Sequence, residues 1–384
     1  MNQKLSAREL SDLVTRVFSP TETDTRLAFL VDLPDEALPD HAEWRERRRM
    51  TRDWIVALRE AGDLTMDVEL LLYRNVRANN ADLPAFGWSW DPRSPLPASA
   101  DEAESQPGTP LDQLLGRCQL IIAPTELSTT APLKVLAPKL GLRAATMPGF
   151  RPEMVPALRL DYREVNRQVH ALKEFLDQSV RAEFVFEVTG QGAHQLTLDL
   201  RHRTSHASGG LLPKIGTAGN LPSGEAYIVP YEGELAGDAS RSEGTLPVQL
   251  DGEVVIYRIA GNKAVEVLSE GPVSDSESRL IHNEPAYANL SELGLGVLGG
   301  FGVKPVGEVL LDEKLGLHIA FGRSDHFGGQ VGPDDFSSPL AVTHQDRVYI
   351  PELQPDVNPA SVDLVFEDGR TMALMKDGLY VIDF

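Results

Sequence analysis

The rhythm of apolar positions changes part-way along the chain. In the first part they come as short unbroken runs: "RLAFLVDLP" (26–34), "MDVELLLY" (66–73), "CQLIIAP" (118–124) and "LRAATMPG" (142–149). A run of this length, closed by Asp, Pro or Gly, fits a strand buried on both faces. Between the runs the spacing becomes helical. "HAEWRERRRMTRDWIVALREAG" (41–62) sets Trp44, Trp54 and Leu58 at helical intervals and stops on Gly62. "APLKVLAPKLG" (131–141) is a shorter helix with Pro138 able to kink it. Alternating strands and helices predict βαβ units and a mostly parallel sheet.

Two segments stand outside this alternation. "PAFGWSWDPRSPLPASADEAESQPGTP" (84–110) is rich in Pro, Ser and acidic residues and reads as a long insertion loop. Its Trp88 and Trp90 either contact a ligand or partner subunit, or anchor the loop. "LDYREVNRQVHALKEFLDQSV" (160–180) places Val165, Val169, Leu172, Phe175 and Leu176 on one helical face. Beyond it, "RAEFVFEVTGQGAHQLTLDLRHR", "TLPVQLDGEVVIYRIAGNKAVEVLSEG" and "SVDLVFEDGRTMALMKDGLYVIDF" are strands separated by Gly-containing turns. The fold class expected is therefore an α/β N-terminal domain with a mostly parallel sheet (1–159), then a connecting helix (160–180). A strand-rich α+β metal-binding domain (181–384) completes it.

Composition narrows the functional classes. At 384 residues the chain has room for two cores. Its formal net charge of -21 disfavours nucleic acid and anionic membrane surfaces, and is compatible with a carboxylate-rich cation site. The single cysteine, Cys118, sits in an apolar run, so neither an internal disulfide nor a Cys-based zinc site is available. Any metal must be held by His, Asp and Glu. The N-terminal "MNQKLSARELSDLVTRVF" lacks a signal-peptide core and no window reaches membrane-span length, so a cytoplasmic location is the expectation.

Four pieces of the second half carry ligand-type side chains. Glu225 follows a Gly and Pro punctuated loop in "GNLPSGEAYIVP", and Glu292 precedes glycines in "SELGLGV". His318 lies in "GLHIAFG". In "THQD", His344 and Asp346 are two apart and share one face of a strand. Two imidazoles and three carboxylates suit Zn, Co, Mn or non-haem Fe. Five such ligands are about the number a dinuclear hydrolytic site needs. Taken singly, each has a plainer reading: His318 as a hydrogen-bonded core residue, Glu225 and Glu292 as loop carboxylates.

At these residues the chain resembles the thermophilic-type metalloaminopeptidases, the leucyl aminopeptidase group known as the aminopeptidase T/S family. "LRAATMPGF", "GQGAHQLTLDLRHR", "NLPSGEAYIVP", "SELGLGV", "GLHIAFG" and "THQD" are similar, in order, to that family's blocks, from about Cys118 to Asp346. The resemblance implies two divalent ions (Zn, Co or Mn) bound by Glu225, Glu292, His318, His344 and Asp346. It implies removal of N-terminal residues from peptides or small aminoacyl substrates, with Glu225 or Glu292 moving protons. It also implies a homodimer whose N-terminal domains wall off the active site. The chain departs from the pattern seven residues after His318. The family's tyrosine is replaced there by Asp325, with His326 beside it. His326 can take the tyrosine's place as a hydrogen-bond donor to an oxyanion or as a general acid near neutral pH, or be a surface histidine.

Two other readings remain open at this level. His318, His344 and Asp346 form a 2-His-1-carboxylate set, which fits mononuclear Fe(II) and a ring-cleaving dioxygenase of the dihydroxypyridine type, similar in fold to the peptidases. The altered "RSDHFGG" loop and the Trp-rich segment also fit a specialised relative with little peptidase activity.

Overall fold

The protein is described here by a computed structural model covering residues 3–384. The chain divides into two compact units. One runs up to Val165 and regains Gly210–Ser223; the other comprises Asn166–Gly209 and Gly224–Phe384. The unit boundary thus falls inside the helix Tyr162–Gln178.

The first unit is built on a seven-stranded sheet. Five strands are parallel, in the spatial order Thr217–Asn220, Arg143–Thr146, Leu120–Ala123, Arg26–Leu33, Asp67–Arg74. The strand Arg26–Leu33 is buried at every position after Arg26, which is why it reads as an unbroken apolar run. Helices Ala42–Ala61 and Thr130–Leu140 occupy the predicted positions, and Pro138 sits in the last turn of the second. Cys118 is buried just ahead of the Leu120–Ala123 strand, where burial pushes its thiol up to about 11.

Two expectations need correction. Residues 84–110 are not a long loop. They add the antiparallel strands Phe86–Trp90 and Thr109–Pro110 to the sheet, with a short helix Ala100–Ala103 between them. Both tryptophans anchor the segment: Trp88 is buried and donates to the Gln106 carbonyl (3.3 Å), and Trp90 donates to the Pro95 carbonyl (3.1 Å). The Pro and acid content masked a strand whose alternation Phe86, Trp88, Trp90 is plain once the flanks are set aside. Second, Gly210–Ser223 belongs to the first unit and not to the strand-rich half. Its strand Thr217–Asn220 completes the open edge of Arg143–Thr146 in full register.

In this sheet the strand order reverses beside Arg26–Leu33, the place where doubly wound folds usually take a ligand. Here the protein's own Asp32 fills it. Its carboxylate accepts from Trp44 Nε1 (3.0 Å) and from the backbone N–H groups of Glu126 (2.8 Å) and Leu127 (3.1 Å). Burial, opposed by those donors, raises its pKa to about 6.

The second unit holds two antiparallel sheets. One has eight strands, in the order Lys263–Val267, Glu253–Ala260, Glu243–Leu250, Gly192–Asp199, Ser179–Val188, Val357–Phe366, Thr371–Lys376, Leu379–Tyr380. The other has five: His344–Val348, Leu317–Gly322, Leu290–Gly296, Glu225–Ile228, His206–Ser208. Cross-strand partners put Ala226, Ile228, Leu293, Leu295, Leu317, Ile319 and Phe321 on one face of the smaller sheet, and all are buried. Phe321 meets Tyr257 of the larger sheet with ring centroids 5.1 Å apart. Each such side chain contributes about 1.5–3 kcal/mol on burial, so this face fixes the register that aims the other one. Among the described residues, no helix is long and apolar enough to cross a membrane.

Candidate metal centre

The opposite face of the five-stranded sheet is where the chemistry lies. A side-chain period of two means that every residue paired across the strands shares a face. Pairing of Glu225 with Gly296, Gly294 with His318, Glu292 with Ala320, and Ala320 with Asp346 therefore places Glu225, Glu292, His318 and Asp346 together. His344, opposite Gly322, joins them. The small residues between them make room. A Cβ on Gly294 would stand 1.8 Å from His318 Nε2, so the imidazole lies directly over that glycine.

All five ligand-type residues expected from the sequence converge. His318 Nε2 is 3.3 Å from Glu292 Oε1 and 3.6 Å from Glu225 Oε2. His344 Nε2 is 3.2 Å from Glu292 Oε2 and 3.5 Å from Asp346 Oδ1. Glu292 thus faces one imidazole with each oxygen. Both histidines turn Nδ1 toward a backbone carbonyl, His318 to Gly316 (3.4 Å) and His344 to Arg323 (2.9 Å). An Nδ1–H that donates there leaves the Nε2 lone pair facing the carboxylates, the orientation a metal ligand needs.

The electrostatics are those of a crowded anionic pocket. Burial opposes a charge on His318, but Glu292, Asp346 and Glu225 outweigh it and raise its pKa to about 9. His344 is raised for the same reason, with Asp346 the leading carboxylate. Burial works against the Glu292 charge too, yet His318 and His344 hold its carboxyl down at about 2, and Asp346 is likewise depressed.

The residues fit divalent cations. Two groups of three have ligand atoms within 4.8 Å of one another: Glu225, Glu292 and His318, and Glu292, His344 and Asp346. Each group contains one buried carboxylate oxygen that has no hydrogen-bond partner among the described residues, Glu225 Oε2 and Asp346 Oδ1. Buried carboxylate oxygens left in this state are costly unless a cation takes them up.

His326, the sixth residue singled out, sits in the short helical turn Asp325–Phe327 beside the cluster. Its ring centroid is 5.5 Å from that of His344, and its Nδ1 is 3.5 Å from Asp325 Oδ1. Burial, then the charges of His344 and Arg323, lower its pKa to about 4. That leaves it neutral at pH 7, which suits a hydrogen-bond donor and not a general acid near neutrality. Glu232 pins the loop, accepting from Ser324 Oγ (2.6 Å) and the Gln330 N–H (2.5 Å).

Sequence reasoning missed the basic member of the cluster. Lys314 is fully buried, with Nζ 2.6 Å from Glu225 Oε1 and a second contact to Glu313. Burial disfavours its charge, but Glu225 and Glu313 overcome this and push its pKa up. Burial, with Glu225 and Asp346, pushes the Glu313 carboxyl upward against the opposing pull of Lys314. One ammonium is thus shared by two carboxylates. The available signal was the charged triplet "DEK" inside an otherwise apolar stretch, four residues before His318. Tyr227 was also missed. It shares the Gly294 face, and its ring stands 4.9 Å from Phe327 and 5.1 Å from His206.

No family model and no curated protein matches the chain. Among the solved structures similar to it are two that match over nearly its whole length. The 2,5-dihydroxypyridine dioxygenase of Pseudomonas putida KT2440 is 15% identical with a TM-score of 0.61, over 99% of both chains. Wild-type AmpT of Thermus thermophilus is 17% identical with a TM-score of 0.54, over 98% of this chain and 99% of that one. These likenesses establish a shared fold. The α/β unit followed by a strand-rich unit is the architecture that the apolar pattern predicts.

Proposed function

We propose that the protein is a metal-dependent aminopeptidase that hydrolyses N-terminal residues of peptides or small aminoacyl compounds. One observation carries this reading: two three-ligand groups share Glu292, and each holds an orphaned carboxylate oxygen. A bridging carboxylate between two cation positions is what a dinuclear hydrolytic centre requires. The fold likeness to AmpT, an aminopeptidase T, is in keeping with it.

Glu225 and His318 would hold one ion, His344 and Asp346 the other, and Glu292 both. When bound, a pair of divalent ions (Zn, Co or Mn) supplies Lewis acidity and a water acidic enough to yield hydroxide near neutral pH. The chain's own residues do the rest. Gly316 and Arg323 carbonyls fix the imidazoles, so the ligand set is preorganised. The neutral His326 offers an N–H to the developing oxyanion in place of the family tyrosine.

A second reading has its own support. His318, His344 and Asp346 share a sheet face, the dioxygenase neighbour has the higher TM-score, and the rings of Tyr227 and Phe327 stand beside the cluster. It assigns one Fe(II) and cleavage of a hydroxypyridine ring. The test is direct: assay the purified protein on aminoacyl amides with Co(II), Zn(II) or Mn(II), and on hydroxypyridines with Fe(II) and oxygen-uptake detection. Amine release without oxygen uptake supports the peptidase; oxygen uptake without amine release replaces it by the dioxygenase. Turnover of neither, with metal bound, favours a specialised relative. The homodimer belongs to the peptidase reading and is checked by light scattering.

A further inference from the structure

Lys314 is an unusual neighbour for a cation pocket, because it brings a fixed positive charge into it. The side chain is fully buried, and its Nζ is 2.6 Å from Glu225 Oε1. The other oxygen of the same carboxylate, Oε2, is the orphan facing His318 Nε2 at 3.6 Å. Glu225 is therefore divided: one oxygen is spent on the ammonium and one is free. At the far end of the cluster Asp346 also has a free oxygen, but no lysine or arginine is hydrogen-bonded to it among the described residues.

We infer that Lys314 is a positioning residue that makes the two ion positions unequal. It limits Glu225 to a single oxygen and sets a positive charge against any cation in the Glu225, Glu292 and His318 position. The inference rests on the metal-pair reading. A cation on Oε2 lies across one carboxylate group from the ammonium. At such a range, inside a buried pocket, the repulsion is only weakly screened. The Glu292, His344 and Asp346 position feels it less: the ammonium acts on Asp346 only at a distance, without the direct contact it makes with Glu225. One ion is held firmly there, and the ion at the Glu225 end exchanges.

Glu313 gives the inference an opposite-signed handle. It competes with Glu225 for the same ammonium. Removing its carboxylate leaves the Lys314 charge wholly on Glu225, whereas removing the ammonium frees both Glu225 oxygens. A merely structural role for the pair would weaken ion binding in both variants.

The experiment is calorimetric titration of the metal-stripped protein with Zn(II) or Mn(II), with elemental analysis after dialysis. Wild type is expected to retain one equivalent through dialysis and bind the second more weakly. Lys314→Met should tighten the weaker ion roughly tenfold or more, Lys314→Arg should preserve the inequality, and Glu313→Gln should weaken the second ion further. An unchanged or weaker second ion in Lys314→Met, with a native circular dichroism spectrum, overturns the inference. If Lys314→Met does not fold, Glu313→Gln decides alone: weakening supports it and no change or tightening defeats it. A wild type that takes up a single equivalent at every concentration defeats the metal-pair reading instead. In that case a second equivalent gained by Lys314→Met still upholds the charge opposition, and no gain ends both.

Discussion

Glu292 offers one oxygen to each imidazole, at 3.3 and 3.2 Å, so its removal should act on both cation positions at once. Glu292→Ala is expected to abolish both the equivalent retained through dialysis and the weaker second uptake in calorimetric titration, while His344→Ala loses the retained one. In the metal-free protein Glu292→Ala also takes one of its two carboxylate neighbours from each imidazole, Glu225 and Asp346 remaining, at a cost of about 1–3 kcal/mol in denaturant unfolding. The pH dependence follows from His318. Its folded pKa of about 9 lies above the ordinary 6.5. Its contribution to the metal-free fold is therefore full below about 6.5 and is lost as pH rises through about 9. The thermal midpoint of the stripped protein should fall across that window, and His318→Gln should flatten the fall. Because a ligating imidazole must be neutral, metal uptake at pH 7.5 should release protons. Titration heats measured in buffers of different ionisation enthalpy will register them; identical heats would refute the picture.

The strand Leu290–Gly296 shows how an element builds the site. Its alternation Glu292, Gly294, Gly296 on one face against Leu293 and Leu295 on the other gives a ligand, two gaps and two core anchors in five residues. Gly294→Ala is expected to drive the His318 ring out of its place. It should cost the weaker second ion, at His318, and roughly 1–3 kcal/mol of stability from overpacking, read by calorimetric metal titration and urea unfolding. Much of this was legible in the sequence. The period-two spacing of "HQD" and the glycines of "SELGLGV" gave the face and the room, and "GLHIAFG" gave the buried imidazole. Lys314 was not legible, because a buried lysine is identified by its partners and Glu225 is distant in sequence. Nor was the Phe86–Trp90 strand, whose flanking prolines and acids dominate the local composition although the strand itself alternates. Thr217–Asn220 escaped for a third reason: four small or polar residues carry no apolar pattern, and only the edge they complete makes them a strand.

At the scale of the molecule, that small strand matters most. The first sheet takes its outer parallel member from residues lying beyond the helix and three strands of the other unit. A fragment ending at Val165 keeps the buried run Arg26–Leu33 but leaves the otherwise buried strand Arg143–Thr146 as an open edge with unpaired backbone groups, a form prone to pair with other chains. Such a fragment is expected to aggregate or to show a broadened thermal transition by circular dichroism, whereas the full chain melts sharply. The ordering also bears on biogenesis. As the polypeptide leaves the ribosome, the leading sheet must wait with one flank unsealed until Asn220 has emerged, and Glu225, the earliest of the five ligand-type residues, follows it by a handful of residues. Completion of the front half and arrival of the first side chain of the candidate metal centre thus fall at nearly the same moment of synthesis.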